Sequence, residues 1–342
     1  MFDYPCTSEF IPSSYNILFG WNTQDWREMN INVITELNYK KAYELDNRFG
    51  ISIQCGEVLN TQAFQRDIEP VELLYNTNLA LMYGAKYLSL YSYMAQRSID
   101  SCHLGLLCKG LVNFATYGGI TQLHYTPKYT MLRYTISPRL KNLFGKTLKQ
   151  LQPTEQHAGS NGIDATYGNE ININFIKKIE VEQLIEATQC FIELGFFQDN
   201  NNLEKKYFMA LNRYYSTEND LRFTFKDLNN HTNWTVTSFV DTINTTIITD
   251  VNDEAIFINM IVPGDAKLYS IVPTIIAGGE LLADETVEGN YTLETDLIIG
   301  QNVTLTINGT YDVYGNITLK NNSQLLTTGN GKINFHNGTK LL

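Results

Sequence analysis

Apolar residues recur at helical spacing up to about residue 150 and in short alternating runs from about residue 155, and this change of period dictates an α/β segment followed by all-β material. From Trp26 to Phe49 the apolar positions Trp26, Met29, Val33, Ile34, Leu37, Ala42 and Leu45 predict a helix with one buried face, stopped at Gly50. Ile51-Ser-Ile-Gln-Cys then alternates as a short strand does, with Gly56-Glu57 at its C-terminal end. Pro70, favoured in a first turn, opens a second helix that runs through Leu73, Leu74, Leu79 and Leu81 to a stop at Gly84. The strand Tyr87-Leu-Ser-Leu-Tyr-Ser-Tyr follows, and a third helix is expected from about Thr130 to Leu151, kinked or delayed by Pro138. Strand and helix alternating with short connections predict βαβ units and parallel pairing. Two or three units are too few to close a barrel. The segment is therefore a small open sheet or the last part of a larger barrel, and the strand-like start at Phe2-Asp-Tyr-Pro favours a missing N-terminal segment.

After the change of period, Phe191-Ile-Glu-Leu-Gly-Phe-Phe and Tyr207-Phe-Met-Ala-Leu-Asn-Arg read as a hairpin joined by the polar stretch from Gln198 to Lys206. Further short strands at Leu221–Phe225, Trp234–Val240, Thr246–Asp250, Ala255–Ile261 and Lys267–Ile271 predict an antiparallel β-sandwich. The last segment is weakly repetitive. Runs beginning at Asn302, Asn316 and Lys332 lie 14 and 16 residues apart, which predicts a short β-solenoid or meander. The expected division is a partial (β/α) barrel at 1–152, a β-sandwich at 153–275 and a β-repeat tail at 276–342.

Composition narrows the partners. With 25 basic against 36 acidic residues the formal charge is −11, which repels nucleic acid and anionic membrane. No apolar run reaches the length of a membrane helix, and the first residues show no signal peptide, so a secreted or cell-surface protein would carry its signal outside this chain. Five cysteines without a C-x-x-C pair indicate neither a zinc site nor a complete disulfide framework. His103 and His124 fall in a Gly-rich loop from Leu104 to Tyr125 with no third ligand at metal spacing, and no metal or cofactor is expected. A surface rich in Asn, Thr and Tyr suits neutral polar ligands such as a polysaccharide or oligosaccharide.

Glu57 draws the chemical argument, because β/α barrels place catalytic side chains at the C-terminal ends of their strands. The residues alone equally allow an exposed glutamate in a strand-to-loop turn. Ile51-Ser-Ile-Gln-Cys-Gly-Glu57, a helix, and Gly84-Ala-Lys-Tyr-Leu-Ser-Leu-Tyr-Ser-Tyr93 together resemble the last βα units of the clan of barrel glycoside hydrolases whose nucleophile ends strand seven. Tyr207 to Arg213 and Val262 to Ile271 resemble the small β-sandwich that commonly follows such barrels. The resemblance implies a retaining glycosidase with Glu57 as nucleophile and Tyr91 or Tyr93 flooring a sugar subsite. Trp21, in a loop, is a candidate stacking platform or a helix-start packing residue, and Asp3 is a substrate-contact candidate. The chain departs from the clan in one respect: no Asn-Glu pair precedes Glu57 to serve as acid/base. The alternative function is a non-catalytic carbohydrate-binding or cell-surface β-protein.

Overall fold

The structure, a computed structural model, describes residues 50–55, 57–59, 64–65, 68–91, 94–96, 107–117, 120–157, 163–182, 190–199, 202–213, 219–228, 231–336 and 338–342. The helix expected over Trp26–Phe49 lies outside them. The chain is mostly β-strand, with few helices.

Strand β1 (Gly50–Gln54) leads through β2 (Glu57–Leu59) and β3 (Phe64–Gln65) to helix α1 (Pro70–Met82), which returns the chain to β4 (Tyr87–Tyr91). β1 and β4 pair in parallel from Gly50↔Tyr87 to Gln54↔Tyr91, so this segment is a βαβ unit. Glu69 caps α1, and its amide donates to the Glu72 carboxylate at 2.8 Å, closing half of a capping box. The other end is a Schellman turn. The Gly84 amide donates to the Leu81 carbonyl, the Ala85 amide donates to the Ala80 carbonyl, and Gly84 takes φ +82°, as the sequence stop predicts.

The Gly-rich loop expected from Leu104 to Tyr125 is instead largely strand. After β5 (Met94–Gln96) come β6 (Leu107–Lys109), β7 (Val112–Tyr117) and β8 (Ile120–Tyr125), with β7 and β8 pairing antiparallel from Val112↔Tyr125 to Tyr117↔Ile120. A two-glycine turn between alternating runs is a hairpin signal that outweighs the loop reading. The expected third helix is broken into α2 (Pro127–Met131), a π turn (Leu132–Ile136), α3 (Ser137–Lys141) and α4 (Leu143–Gln150). In the π turn the Ser137 amide donates to the Leu132 carbonyl, which sets Pro138 in the first turn of α3, where its missing N–H costs nothing.

Next come β9 (Gln152–His157), β10 (Ile163–Asp164), β11 (Glu170–Ile173), β12 (Ile176–Val181), β13 (Phe191–Asp199), β14 (Asn202–Asn212), β15 (Asn219–Phe225), β16 (Asn233–Ser238), β17 (Ile243–Ile248), β18 (Ala255–Ile261) and β19 (Ala266–Pro273). They form two antiparallel sheets. One has the order β10-β13-β14-β19-β16-β17, with β9 also on β13, and the other has the order β11-β12-β15-β18. The polar stretch expected as the loop between β13 and β14 belongs to the strands, since Gln198 pairs with Lys206 and Asp199 with Asn202.

Between the sheets lies an aromatic core in which Phe208 stacks on Tyr269 at 4.8 Å and Phe175 meets Phe196 edge-on at 5.3 Å. The larger sheet is covered on its other face too. Tyr207, Met209, Leu211, Ala266 and Leu268 point away from the sandwich interior into a second core shared with α1, β1 and the helices α2–α4. Every residue of β19 is accordingly buried, as is Tyr207–Leu211.

The last strands make a three-faced parallel β-solenoid. Its faces stack β20 (Gly279–Leu281), β23 (Leu297–Ile299) and β26 (Ile317–Leu319); β21 (Glu285–Val287), β24 (Thr304–Ile307) and β27 (Gln324–Thr327); and β22 (Asn290–Leu293), β25 (Thr310–Val313) and β28 (Lys332–Phe335). Stacked residues lie 18 or 20 positions apart between the first two coils and 20 or 22 between the last two. The expected spacings of 14 and 16 join strands on different faces, because three similar strands make each coil. Close stacking governs the corners. A Cβ on Gly309 would stand 1.9 Å from the Gly289 carbonyl oxygen.

A short helix α5 (Thr274–Ala277) connects the sandwich to the solenoid, and a buried carboxylate fastens them. Glu285 Oε2 accepts the amides of Thr232 and Asn233 and the Asn233 side-chain amide at 2.9–3.0 Å, while Oε1 lies 3.1 Å from His231 Nδ1. Asn233 Oδ1 in turn accepts the Leu282 and Ala283 amides.

Two substitutions test this packing. Gly309→Ala overpacks a coil corner and is expected to lower stability by about 1–3 kcal/mol, read as a fall in the thermal midpoint. Glu285→Ala orphans two backbone amides and is expected to cost about 1–3 kcal/mol for each buried group left unsatisfied, with amide-exchange protection lost first in β16 and β21.

Candidate active site

The parallel strands end flush, Gln54 beside Tyr91, so the connections that follow them leave from one edge. Both connections are elaborated there. The first carries β2 and β3, the second carries β5 to β8, and they join where β2 pairs antiparallel with β6, Glu57 opposite Lys109. β5 pairs in parallel with β7, which extends the second connection into its own three-stranded sheet. The C-terminal edge of the βαβ unit is thus roofed by short strands drawn from both of its loops, the side on which α/β sheets bind ligands.

Among the sequence candidates, Tyr91 closes β4 and Glu57 opens β2. Glu57 was expected to follow the core strand at its C-terminal end. β1 ends at Gln54, the buried Cys55 donates its thiol to the Ile53 carbonyl at 3.3 Å, and Glu57 opens the next strand, β2. The backbone therefore brings Glu57 and Tyr91 to one edge of the molecule. Asp3, Trp21 and Tyr93 lie outside the described residues, as do Trp26, Arg66, Asp67 and His103. His124 is exposed on β8, and no group of three or more His, Cys, Asp or Glu side chains among the described residues is placed to hold a metal ion. No described helix is long and apolar enough to cross a membrane.

What holds this edge in place is a set of polar contacts that periodicity does not reveal. α1 is buried along its length from Leu73 to Met82, and two of its polar residues, Tyr75 and Asn78, reach the sandwich. Tyr75 donates to Glu193 Oε1 at 2.9 Å, and the Asn78 side-chain amide donates to the Gly264 carbonyl at 3.2 Å and to Asp265 Oδ1 at 3.3 Å. Arg139 of α3 forms a two-pronged ion pair with the same Asp265, its Nη2 lying 3.0 Å from Oδ2. Lys86 donates to the carbonyls of Leu148 and Leu151 at 2.9 and 2.8 Å, capping α4 beside the start of β4. At the same seam, burial and then the charges of Asp199 and Glu294 push the Tyr207 hydroxyl up to about 12, so it stays protonated at physiological pH. The sequence signal for this latch was the polar run Tyr75-Asn76-Thr77-Asn78 inside an otherwise apolar helix, together with the Pro263-Gly264-Asp265 turn.

No family model matches the chain, and no curated protein matches it. Among solved structures, one described as a glycoside hydrolase is 10% identical with a TM-score of 0.31, the match covering 75% of this chain and 48% of that one. The γ-CGTase of alkalophilic Bacillus clarkii is also 10% identical, with a TM-score of 0.29, covering 77% of this chain and 34% of its own. The chain spans less than half of either protein. Likeness at this level assigns no family.

Arg139→Ala leaves Asp265 buried without its cation. The expected cost is about 3–5 kcal/mol, measured by denaturant unfolding, with Arg139→Lys recovering only part of it because an ammonium cannot form the second prong.

Proposed function

We propose that this chain is the C-terminal part of a retaining glycoside hydrolase acting on a neutral poly- or oligosaccharide. In this reading β1, α1, β4 and the α2–α4 helices are the last units of a (β/α) barrel spanning 1–152, followed by a sandwich at 153–275 and a solenoid at 276–342. The observation that carries it is the arrangement about the parallel pair: flush strand ends, loop strands roofing that edge, and the sandwich packed on the helix layer, which is the outside of a barrel. Glu57 is the nucleophile, Tyr91, Tyr93 and Trp21 are sugar platforms, and Asp3 is a substrate contact. A retaining mechanism needs a second carboxyl about 5–5.5 Å from the first, and that acid/base belongs to the barrel units preceding residue 1. Such a protein acts outside the cell or at its surface, where its substrate lies.

The reading is tested with purified chain on activated aryl glycosides, whose leaving groups need no proton from the missing acid/base, and on plant and algal polysaccharides for binding, beside Glu57→Gln. Turnover that falls by about 10³-fold or more in the variant, with unchanged thermal stability, supports a nucleophile. Polysaccharide binding without turnover in either protein replaces it with the carbohydrate-binding alternative.

A further inference from the structure

The third face of the solenoid carries its polar residues in columns. Parallel register sets Asn290, Thr310 and Lys332 in one column and Thr292, Asp312 and Asn334 in the next. Just past the strands the ladder continues, where the Tyr314 amide donates to the Leu293 carbonyl and the His336 amide to the Val313 carbonyl. Glu294, Tyr314 and His336 therefore make a third column, one residue from each coil. The corner after Tyr314 is stacked too closely to slide, since a Cβ on Gly315 would stand 1.8 Å from the Thr295 carbonyl oxygen.

These columns mount one aromatic ring rigidly. Tyr314 lies nearly parallel to the His336 imidazole, with 9° between their planes and 4.5 Å between their centroids. His336 is itself held, because its Nε2 lies 2.9 Å from Asp312 Oδ1, which also accepts the Asn334 side-chain amide at 2.9 Å. Tyr314 is nonetheless 47% exposed. One ring face rests on His336, so the exposure belongs to the opposite face and to the hydroxyl rim. On that open side Glu294 is drawn to Lys205 of β14, at 3.2 Å. Asp312 Oδ2 accepts no hydrogen bond from the described residues. The contact with His336, and then that with Asn334, hold the Asp312 carboxyl below its ordinary range, so it stands there as an ionised acceptor.

An open ring face with an unused carboxylate oxygen beside it matches the chemistry of a pyranose, which presents an apolar C–H face and a rim of hydroxyl donors. The carboxylates of Asp312 and Glu294, in a chain of net charge −11, disfavour a polyanion.

We propose that Tyr314 and Asp312 form a sugar-binding subsite on the third face of the solenoid, which holds a neutral polysaccharide in addition to the edge that carries Glu57. A pyranose ring covers the open face of Tyr314, Asp312 Oδ2 accepts its hydroxyls, and Lys205 and Glu294 border it. The saccharide class rests on the function proposed above, whereas the site itself does not depend on Glu57.

Native gels cast with a soluble polysaccharide read such binding as retarded migration of the full chain. The probes are hydroxyethyl cellulose, soluble starch, xylan and galactomannan, with alginate as the polyanionic comparison. At least one neutral polymer is expected to retard the chain, and alginate is not. Tyr314→Ala is expected to weaken binding by about tenfold or more at an unchanged thermal midpoint, Asp312→Asn by a smaller factor, and Tyr314→Trp is expected to restore it. Equal retardation of Tyr314→Ala and the wild type overturns the subsite. So does migration that no neutral polymer alters, retardation by alginate that salt abolishes, or retardation lost in Tyr91→Ala and kept in Tyr314→Ala. Turnover indifferent to Glu57→Gln, with retardation still dependent on Tyr314, removes the nucleophile and supports the subsite.

Discussion

Two strands of the larger sheet, β14 and β19, are buried on both faces, and the rest of the structure is arranged around that fact. On one side Phe208 and Tyr269 fill the sandwich; on the other Met209, Leu211 and Leu268 meet α1. Each such side chain removed from water contributes about 1.5–3 kcal/mol, so neither the α/β layer nor the smaller sheet can be lifted away without exposing a continuous apolar surface. The sandwich is therefore the middle layer of the molecule rather than an appendage to it.

Polar contacts give this apolar stack its register. A greasy interface between a helix and a sheet tolerates sliding, whereas Tyr75 on Glu193 and Asn78 with Arg139 on Asp265 are satisfied in one position only. Glu285 does the same at the other end, where it collects donors from His231, Thr232 and Asn233. Three hydrophobic cores are thus linked by two buried carboxylate latches and one buried ion pair. Through them the edge carrying Glu57 and Tyr91 is held to the sandwich, and the sandwich to the solenoid.

Much of the element order was legible in the sequence, and the misses have physical causes. β1, α1 and β4 followed from apolar spacing and from Pro70 and Gly84, and the strands β13 to β19 followed from alternation. The strands β7 and β8 were read as part of a Gly-rich loop, although their alternating runs meet at Gly118-Gly119, a dipeptide that marks a turn. The solenoid repeat was misjudged because its three faces carry nearly the same Asn- and Thr-rich pattern, so resemblance between strands does not mark the coil. Of the proposed site, the sequence offered Glu57 and Tyr91 as candidates, and the backbone brings both to one edge while assigning Glu57 to β2.

Taken alone, the sequence determined that a helical α/β segment precedes β material, where most strands lie, and that the chain is acidic, because spacing and composition are local properties. Only the tertiary structure decided that Tyr207 and Phe208 face different cores and that Asn78 of α1 grips a turn nearly 190 positions later. Those outcomes depend on which surfaces meet once the chain has folded, and pairings between distant segments leave no period in the sequence to read.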